Sequence, residues 1–127
     1  MEINSGKWQG LTFTEIAEKY PQTYETWKTD IGKAAPDGGE TCVQLYDRVT
    51  AFLQAVLNAE EETVCLVCHA TPIRMIESYI SGAPAQEIPW VPNASVTVYE
   101  YDGAFHSVER GICDFLGDLQ TNLPKTI

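Results

Sequence analysis

Positive charge is scarce in this chain. Eight Lys and Arg stand against eighteen Asp and Glu, a net charge of −10 with a pI near 4.4. Such a balance disfavours nucleic acid or an anionic membrane surface as a partner. It accommodates an anionic substrate only where a few cations converge on one pocket. No apolar run approaches the roughly 20 residues needed to span a bilayer, and no segment reads as a secretory leader. Histidine occurs twice, as His69 and His106. Cysteine occurs four times, at positions 42, 65, 68 and 113. Cys65 and Cys68 have C-x-x-C spacing, but on a strand residues three apart point to opposite faces. A redox C-x-x-C opens a helix, and a zinc site needs further clustered ligands. The expectation is therefore buried structural thiols, with no metal and no cofactor. Free thiols without a leader point to the cytoplasm, where the sequon Asn93-Ala94-Ser95 is a chance match.

The 127 residues fit one domain with a modest core. Thr12 and Glu15 form a capping box, which predicts a helix from about Phe13 to Tyr20. Pro21 breaks it, and a further turn or two carries Tyr24 and Trp27. Residues 33–39 read as a loop. A longer helix is predicted from about Thr41 to Asn58, with Leu45, Val49, Phe52, Leu53 and Val56 on one stripe. Glu60–Glu62 link it to a buried strand, Thr63–Cys68. The next helix runs from about Pro72 to Ile80, N-capped by Thr71, with Ile73, Ile76 and Ile80 on one face and Gly82 as its stop. Ser95–Tyr101 alternates in the strand manner with Val96 and Val98 inward. Asp102-Gly103 signals a type I′ hairpin returning over Ala104–Glu109. The tail from Gly111 to Ile127 reads as loop or short helix.

This pattern places His69 at the carboxyl end of a buried strand, beside a helix N-terminus. Open α/β sheets bind ligands there, and free backbone N–H groups favour anions. A histidine in that place suggests phosphate chemistry. Only three strands are legible, and the hairpin can cover one edge of Thr63–Cys68 at most. A bare apolar edge needs a cover, either another polypeptide segment or a second copy of the chain.

Four segments, in order, resemble the histidine phosphatase superfamily, in its phosphoglycerate-mutase-like branch. Glu2–Thr12 (EINSGKWQGLT) is similar to E-x-x-F-G-x-W-E-G-x-T, and Pro36–Thr41 (PDGGET) to P-x-G-E-S before a long helix. Val67–Arg74 (VCHATPIR) is similar to V-S-H-G-x-x-I-R. Asn93–Thr97 followed by Tyr101-Asp102-Gly103 makes the fourth match. Ser5, Gln9, Cys68 and Ala70 depart from the pattern without removing a catalytic side chain. The resemblance implies an α/β fold, a partial phosphoglycerate-mutase-like three-layer sandwich. Family members open with a strand ending in Arg-His-Gly, whose histidine is the nucleophile, and carry a second phosphate-binding arginine later. Neither motif occurs in these 127 residues. Residues 1–127 are therefore expected to be a single, truncated domain lacking the N-terminal strands.

By the same resemblance, His69 matches the second pocket histidine, which binds the phosphoryl group. Glu2 matches the general acid, although an adjacent N-terminal amine would favour its carboxylate form. Asn4, Trp8, Ala70 and Arg74 are carried over as substrate-binding candidates, Trp8 as a pocket wall or core residue. Glu40 reads chiefly as structural, near a helix N-terminus. His106 is expected to be exposed and without a role. The family reaction is phosphomonoester hydrolysis through a phosphohistidine intermediate, on a small phosphorylated metabolite. Phosphatase fits better than mutase, whose longer insertions are not found. This chain alone is expected to be inactive. The alternative is a non-catalytic interaction domain that buries its open strand edge as a homodimer.

Overall fold

The computed structural model describes residues 1–29 and 34–120. The expected loop over 33–39 and the tail over 111–127 therefore lie partly outside the described residues. The architecture is mixed α/β, with four α-helices and a two-stranded antiparallel sheet among the described residues.

Helices begin where the sequence carries caps. The Thr12 hydroxyl accepts the Glu15 N–H at 3.3 Å, and the Glu15 carboxylate accepts the Thr12 N–H at 2.8 Å, which opens α1 (Phe13–Lys19). Pro21 ends α1 and also starts α2 (Pro21–Thr29), because a first helical position has no use for its missing N–H. Thr41 and Gln44 form a second reciprocal box at the head of α3 (Cys42–Leu57). Gly82, at φ 71°, closes α4 (Ala70–Ser81) in the left-handed region that glycine alone enters cheaply.

Five expectations are corrected. The N-cap of α4 is His69, not Thr71, and Pro72 lies third in the helix, still among N–H positions without an intrahelical acceptor. The buried side of α4 carries Pro72, Met75, Glu77 and Ser78, while Ile73, Ile76 and Ile80 are half-buried. On α3, Leu45, Val49 and Leu53 are buried as expected, but Phe52 is 57% exposed.

The fourth correction concerns Thr63–Cys68, which forms no strand. Its neighbours make the reason plain. A strand exists by pairing, and the hairpin does not come alongside it. Phe52 is exposed for the same reason: it lines a groove with Cys65–Cys68 over which nothing described is packed. Cys65 is accordingly exposed, against the expectation of a buried thiol, and Cys68 is half-buried.

The last correction concerns the hairpin. Strands β1 (Val96–Tyr101) and β2 (Phe105–Ile112) pair antiparallel, with Tyr101 opposite Phe105. The connection is a three-residue loop, Asp102–Ala104, with positive φ only at Gly103, so it is not the two-residue type I′ turn. The inward face is also reversed. Thr97 and Tyr99 are half-buried, whereas Val96 and Val98 are exposed. Polar chemistry decides this orientation. Glu77 is only 5% exposed, and its carboxylate takes two hydrogen bonds from Arg110, at 2.7 and 2.8 Å, and one from the Tyr99 hydroxyl at 3.2 Å. Arg110 also donates to the Pro89 carbonyl. A buried carboxylate left without these donors would be costly, so the face carrying Tyr99 must turn toward α4.

Burial and the adjacent Glu77 carboxylate push the Tyr99 phenol up to about 12. An unfolded tyrosine loses its proton near pH 10, where the folded one keeps it. That contribution to stability is full below pH 10 and lost as the pH rises through 12.

The apolar core is small. Cys42, Leu45, Val49 and Met75 join α3 to α4, with Ile3, Tyr46, Ile76 and Ala85 packed around them. A second cluster is aromatic. The Trp8 ring lies edge-on to Tyr24 and Trp27, at centroid distances of 6.1 and 6.0 Å, and Phe13 stacks on Trp27 at 6.3 Å.

Removing one partner of the Glu77–Arg110 pair should cost more than removing both. Arg110→Met is expected to destabilise the fold by about 3 kcal/mol, and Glu77→Leu with Arg110→Met by less, since the double variant leaves no buried charge unmatched. Urea unfolding of the single and double variants measures the difference.

Candidate functional site

The site forms where the first residues of the chain meet the head of α4. His69 holds extended backbone (φ −106°, ψ 173°) and makes no side-chain capping bond, and its ring is exposed. The N–H groups of the first turn of α4 lack intrahelical acceptors. One of them, on Thr71, donates to the Glu2 carboxylate across a long 3.4 Å hydrogen bond. The other Glu2 oxygen accepts from the Ile3 N–H at 2.8 Å. The Glu2–Thr71 contact, between residues 69 apart in the chain, thereby brings Glu2 and His69 to the same helix end. Ala70 is the first residue of that helix and is half-buried.

A polar clamp holds Glu2 there. Arg48, on α3, binds both oxygens of Glu40, with Nε 2.9 Å from Oε1 and Nη2 2.8 Å from Oε2. The same guanidinium donates to the Glu2 carbonyl at 3.1 Å and to the Met1 carbonyl at 3.4 Å. Glu40 also accepts the Asn4 N–H at 2.8 Å and returns its own N–H to the Asn4 carbonyl at 2.9 Å. The Arg48 guanidinium holds the Glu40 carboxyl below its usual range and is itself raised by it.

Asn4 is committed to this clamp. Its side chain donates to the Gly38 carbonyl at 3.2 Å and accepts the Gly6 N–H at 3.0 Å. The two segments approach so closely that a Cβ on Gly6, already at φ 48°, would lie 2.4 Å from the Asp37 carbonyl. Only glycine fits that crossing.

The remaining candidates lie at different depths. Trp8 is buried in the aromatic cluster against α2. Arg74, one helical turn beyond the head of α4, places its guanidinium 4.2 Å from the centroid of the Trp90 ring. Its Nε is buried without a hydrogen-bond partner, and burial pulls its pKa below the ordinary value. Burial pushes the Cys42 and Cys68 thiols up, away from the thiolate form. His106 is exposed at the hairpin loop, with Nε2 3.0 Å from Asp102. Among the described residues no three His, Cys, Asp or Glu side chains cluster as a metal site.

Arg48 and Trp90 were not legible as site residues. Arg48 carried a faint signal: it follows Glu40 by eight residues, and Glu40 stands just before the cap of the helix that carries Arg48. Trp90 lies in a proline-flanked loop with no periodicity to place it.

The clamp predicts an acid dependence. A carboxyl whose pKa is lowered by folding contributes stability above its unfolded value, near 4.5, and loses that contribution as the pH falls through its folded value. Glu40→Gln should lower the melting temperature at pH 7, and the gap from the unaltered chain should narrow as the pH falls below 4.5. Thermal melts from pH 3 to 8 test it.

Comparison with known proteins bears on this arrangement. The family model described as histidine phosphatase superfamily (branch 1) matches residues 1–112. Phosphoserine phosphatase 1 of Hydrogenobacter thermophilus is 34% identical over 132 residues, covering 100% of this chain and 62% of that protein. Phosphoglycerate mutase-like protein 4 of Arabidopsis thaliana is 32% identical over 108 residues, covering 80% of this chain and 45% of its own length. Among solved structures, mycobacterial hydrolase 1 shares the fold with a TM-score of 0.65 at 23% identity, over 87% of this chain and 61% of that one. The chain thus spans less than two thirds of the length of these relatives. The segments that meet at the head of α4, Glu2–Trp8, Pro36–Glu40 and His69–Arg74, all fall inside the matched region, and the chain belongs to the histidine phosphatase superfamily.

Proposed function

We propose that the chain is the acid-bearing part of a phosphatase domain that hydrolyses phosphomonoesters of a small metabolite through a phosphohistidine intermediate. The observation that carries this reading is the hydrogen bond from Thr71 to Glu2, which sets a carboxyl and His69 on one helix head. In the reaction, His69 and the Ala70 N–H in the first turn of α4 hold the phosphoryl oxygens as charge builds on them. Glu2 gives its proton to the leaving oxygen. Ala70 contributes its main chain at the same helix head, and Arg74 a cation one turn on. Asn4 acts through the clamp, and Trp8 by bracing the segment that carries Glu2. The nucleophile must be a histidine outside this set. His106 is paired with Asp102 on the hairpin loop, and no Arg-His-Gly occurs in these residues. The chain alone is therefore inactive in this reading. The phosphatases among the relatives favour hydrolysis over mutase chemistry. Four thiols outside any disulfide favour a reducing, cytoplasmic setting, and no described helix is long and apolar enough to cross a membrane.

A second reading is favoured by the unpaired segment Thr63–Cys68: the isolated chain associates with a second copy through that edge. The two readings are compatible.

The test is a pair of assays on p-nitrophenyl phosphate. The 127-residue chain and its His69→Ala variant should both show no turnover, and turnover abolished by His69→Ala would overturn the assignment of the nucleophile. Next, the chain is joined to the part of the Hydrogenobacter phosphatase that it does not match. The chimera should hydrolyse the ester, with kcat falling about a hundredfold or more in His69→Ala and in Glu2→Gln. Equal activity in all three chimeras would refute the roles.

A further inference from the structure

We propose that Trp90 positions Arg74, holding the guanidinium by its face so that its free N–H edge turns to the head of α4 and takes an oxygen of the anion bound there. This rests on the phosphatase reading above and adds to it the residue that sets Arg74 in place.

The chain has three arginines. Two of them are neutralised by carboxylates, Arg48 by Glu40 at 2.8 Å and Arg110 by Glu77 at 2.7 Å. Arg74 is not. Among the described residues it makes no ion pair and no hydrogen bond, and its Nε is buried without an acceptor. In a chain with eighteen acidic residues, its partner is the Trp90 ring, whose centroid lies 4.2 Å from the guanidinium carbon. An aromatic face attracts a cation without using any of its N–H donors. A carboxylate in the same place would occupy donors and cancel the charge. The stack thus fixes a guanidinium and leaves it able to bind.

Helix geometry gives the direction. Arg74 is four residues after Ala70, so the two lie on one face of α4. Side chains on a helix lean toward its N-terminus, which carries a long side chain at position 74 back over the first turn. Ala70 is the residue of that turn whose N–H is open: Thr71 donates to Glu2, Pro72 has no N–H, and Ile73 donates to the His69 carbonyl. One main-chain donor is little for a phosphoryl group, and a guanidinium on the same face supplies the next. The Cys42 thiol, at the head of α3, feels Arg74 together with Glu40 and Glu2, so the cation lies toward the clamp.

Trp90 is held in turn. Ile88 and Val91, on either side of it, are buried. Arg110 donates to the Pro89 carbonyl while it binds Glu77. Gly111 of β2 passes so close to the loop that a Cβ there would stand 3.4 Å from Pro92. Glu77 is three residues after Arg74 on α4, so the contacts close a circuit from Arg74 to Trp90, from the Trp90 loop to Arg110, and from Arg110 back to α4. The indole over Arg74 therefore has little freedom to leave it.

NMR of the isotopically nitrogen-labelled 127-residue chain tests this, because it has three arginine Nε–H signals. A proton over an indole face is shifted upfield, so one signal should stand apart from the other two and vanish in Arg74→Lys. That shift should collapse in Trp90→Leu and survive in part in Trp90→Phe. The Arg110 signal should hold its place in both, which shows that loop and hairpin remain folded. Trp90→Phe carries the comparison if Trp90→Leu does not fold. Titration with inorganic phosphate should move the Arg74 signal and the Ala70 amide together and leave Arg48 and Arg110 unmoved. Trp90→Leu should weaken phosphate binding on the order of fivefold, and Trp90→Phe by less. A free chain without an upfield arginine signal would overturn the stack. An Arg74 signal indifferent to phosphate, or equal affinity in the unaltered chain and the Trp90 variants, would overturn the positioning role. If the Ala70 amide moves while Arg74 does not, the phosphatase reading stands without Trp90. If neither moves, the result counts against both.

Discussion

The ion pair between Glu40 and Arg48 is the constraint on which the site depends. The segment Glu2–Trp8 contains one short 3-10 turn, Gly6–Trp8, and otherwise no regular structure to hold it. Its position comes from Glu40, which grips the main chain of Asn4 from both sides, and from Arg48, which grips the Met1 and Glu2 carbonyls. An isolated surface ion pair would contribute little. This one differs because each charge also satisfies backbone groups that no helix or sheet would otherwise pair. Its yield is positional: it points the Glu2 side chain at the first turn of α4. The close crossing of Gly6 over Asp37 and Gly39 shows how little slack remains in that arrangement.

The same logic appears at the other end of α4, where Glu77 draws in Tyr99 and Arg110. With Leu45 the only fully buried side chain among the described residues, hydrophobic burial alone specifies few orientations. Polar contacts therefore select among packings that the apolar residues leave open. The hairpin makes the case. Its valines would favour burial of Val96 and Val98, yet both are exposed, because burying them would strip a carboxylate of its donors. A two-stranded ribbon has little stability of its own, so its docking follows the strongest contact available.

What was legible in the sequence follows from how local each signal is. The capping box at Thr12, the helix start at Thr41, the stop at Gly82 and the existence of the hairpin depend on residues within a few positions of one another, and all four appear. The stripe Leu45–Val49–Leu53 appears for the same reason, since a 3.6-residue period needs no partner to be read. Thr63–Cys68 fails because a strand is a relation between segments, and the described residues supply no second one. Phe52 follows it out of the core, since the stripe was read on the assumption that something lay above it. Arg48 was missed because its partners are two main-chain carbonyls, which leave no trace in residue type, and Glu40, which lies outside the helix that carries it. Glu2 and His69, by contrast, were named from matching motifs, and the fold brings the two motifs to one helix end.

The uneven distribution of charge ties these points together. A phosphoryl group needs cations or N–H donors around it, and the described site offers few: the head of α4, His69 and a guanidinium already engaged by Trp90. Arg48, the strongest cation nearby, is neutralised by Glu40. Around the head of α4 the described residues therefore present few cations to an anion. The apolar groove and the unpaired edge lie next to it, on the strand side of His69. Any polypeptide that pairs with that edge ends beside the imidazole.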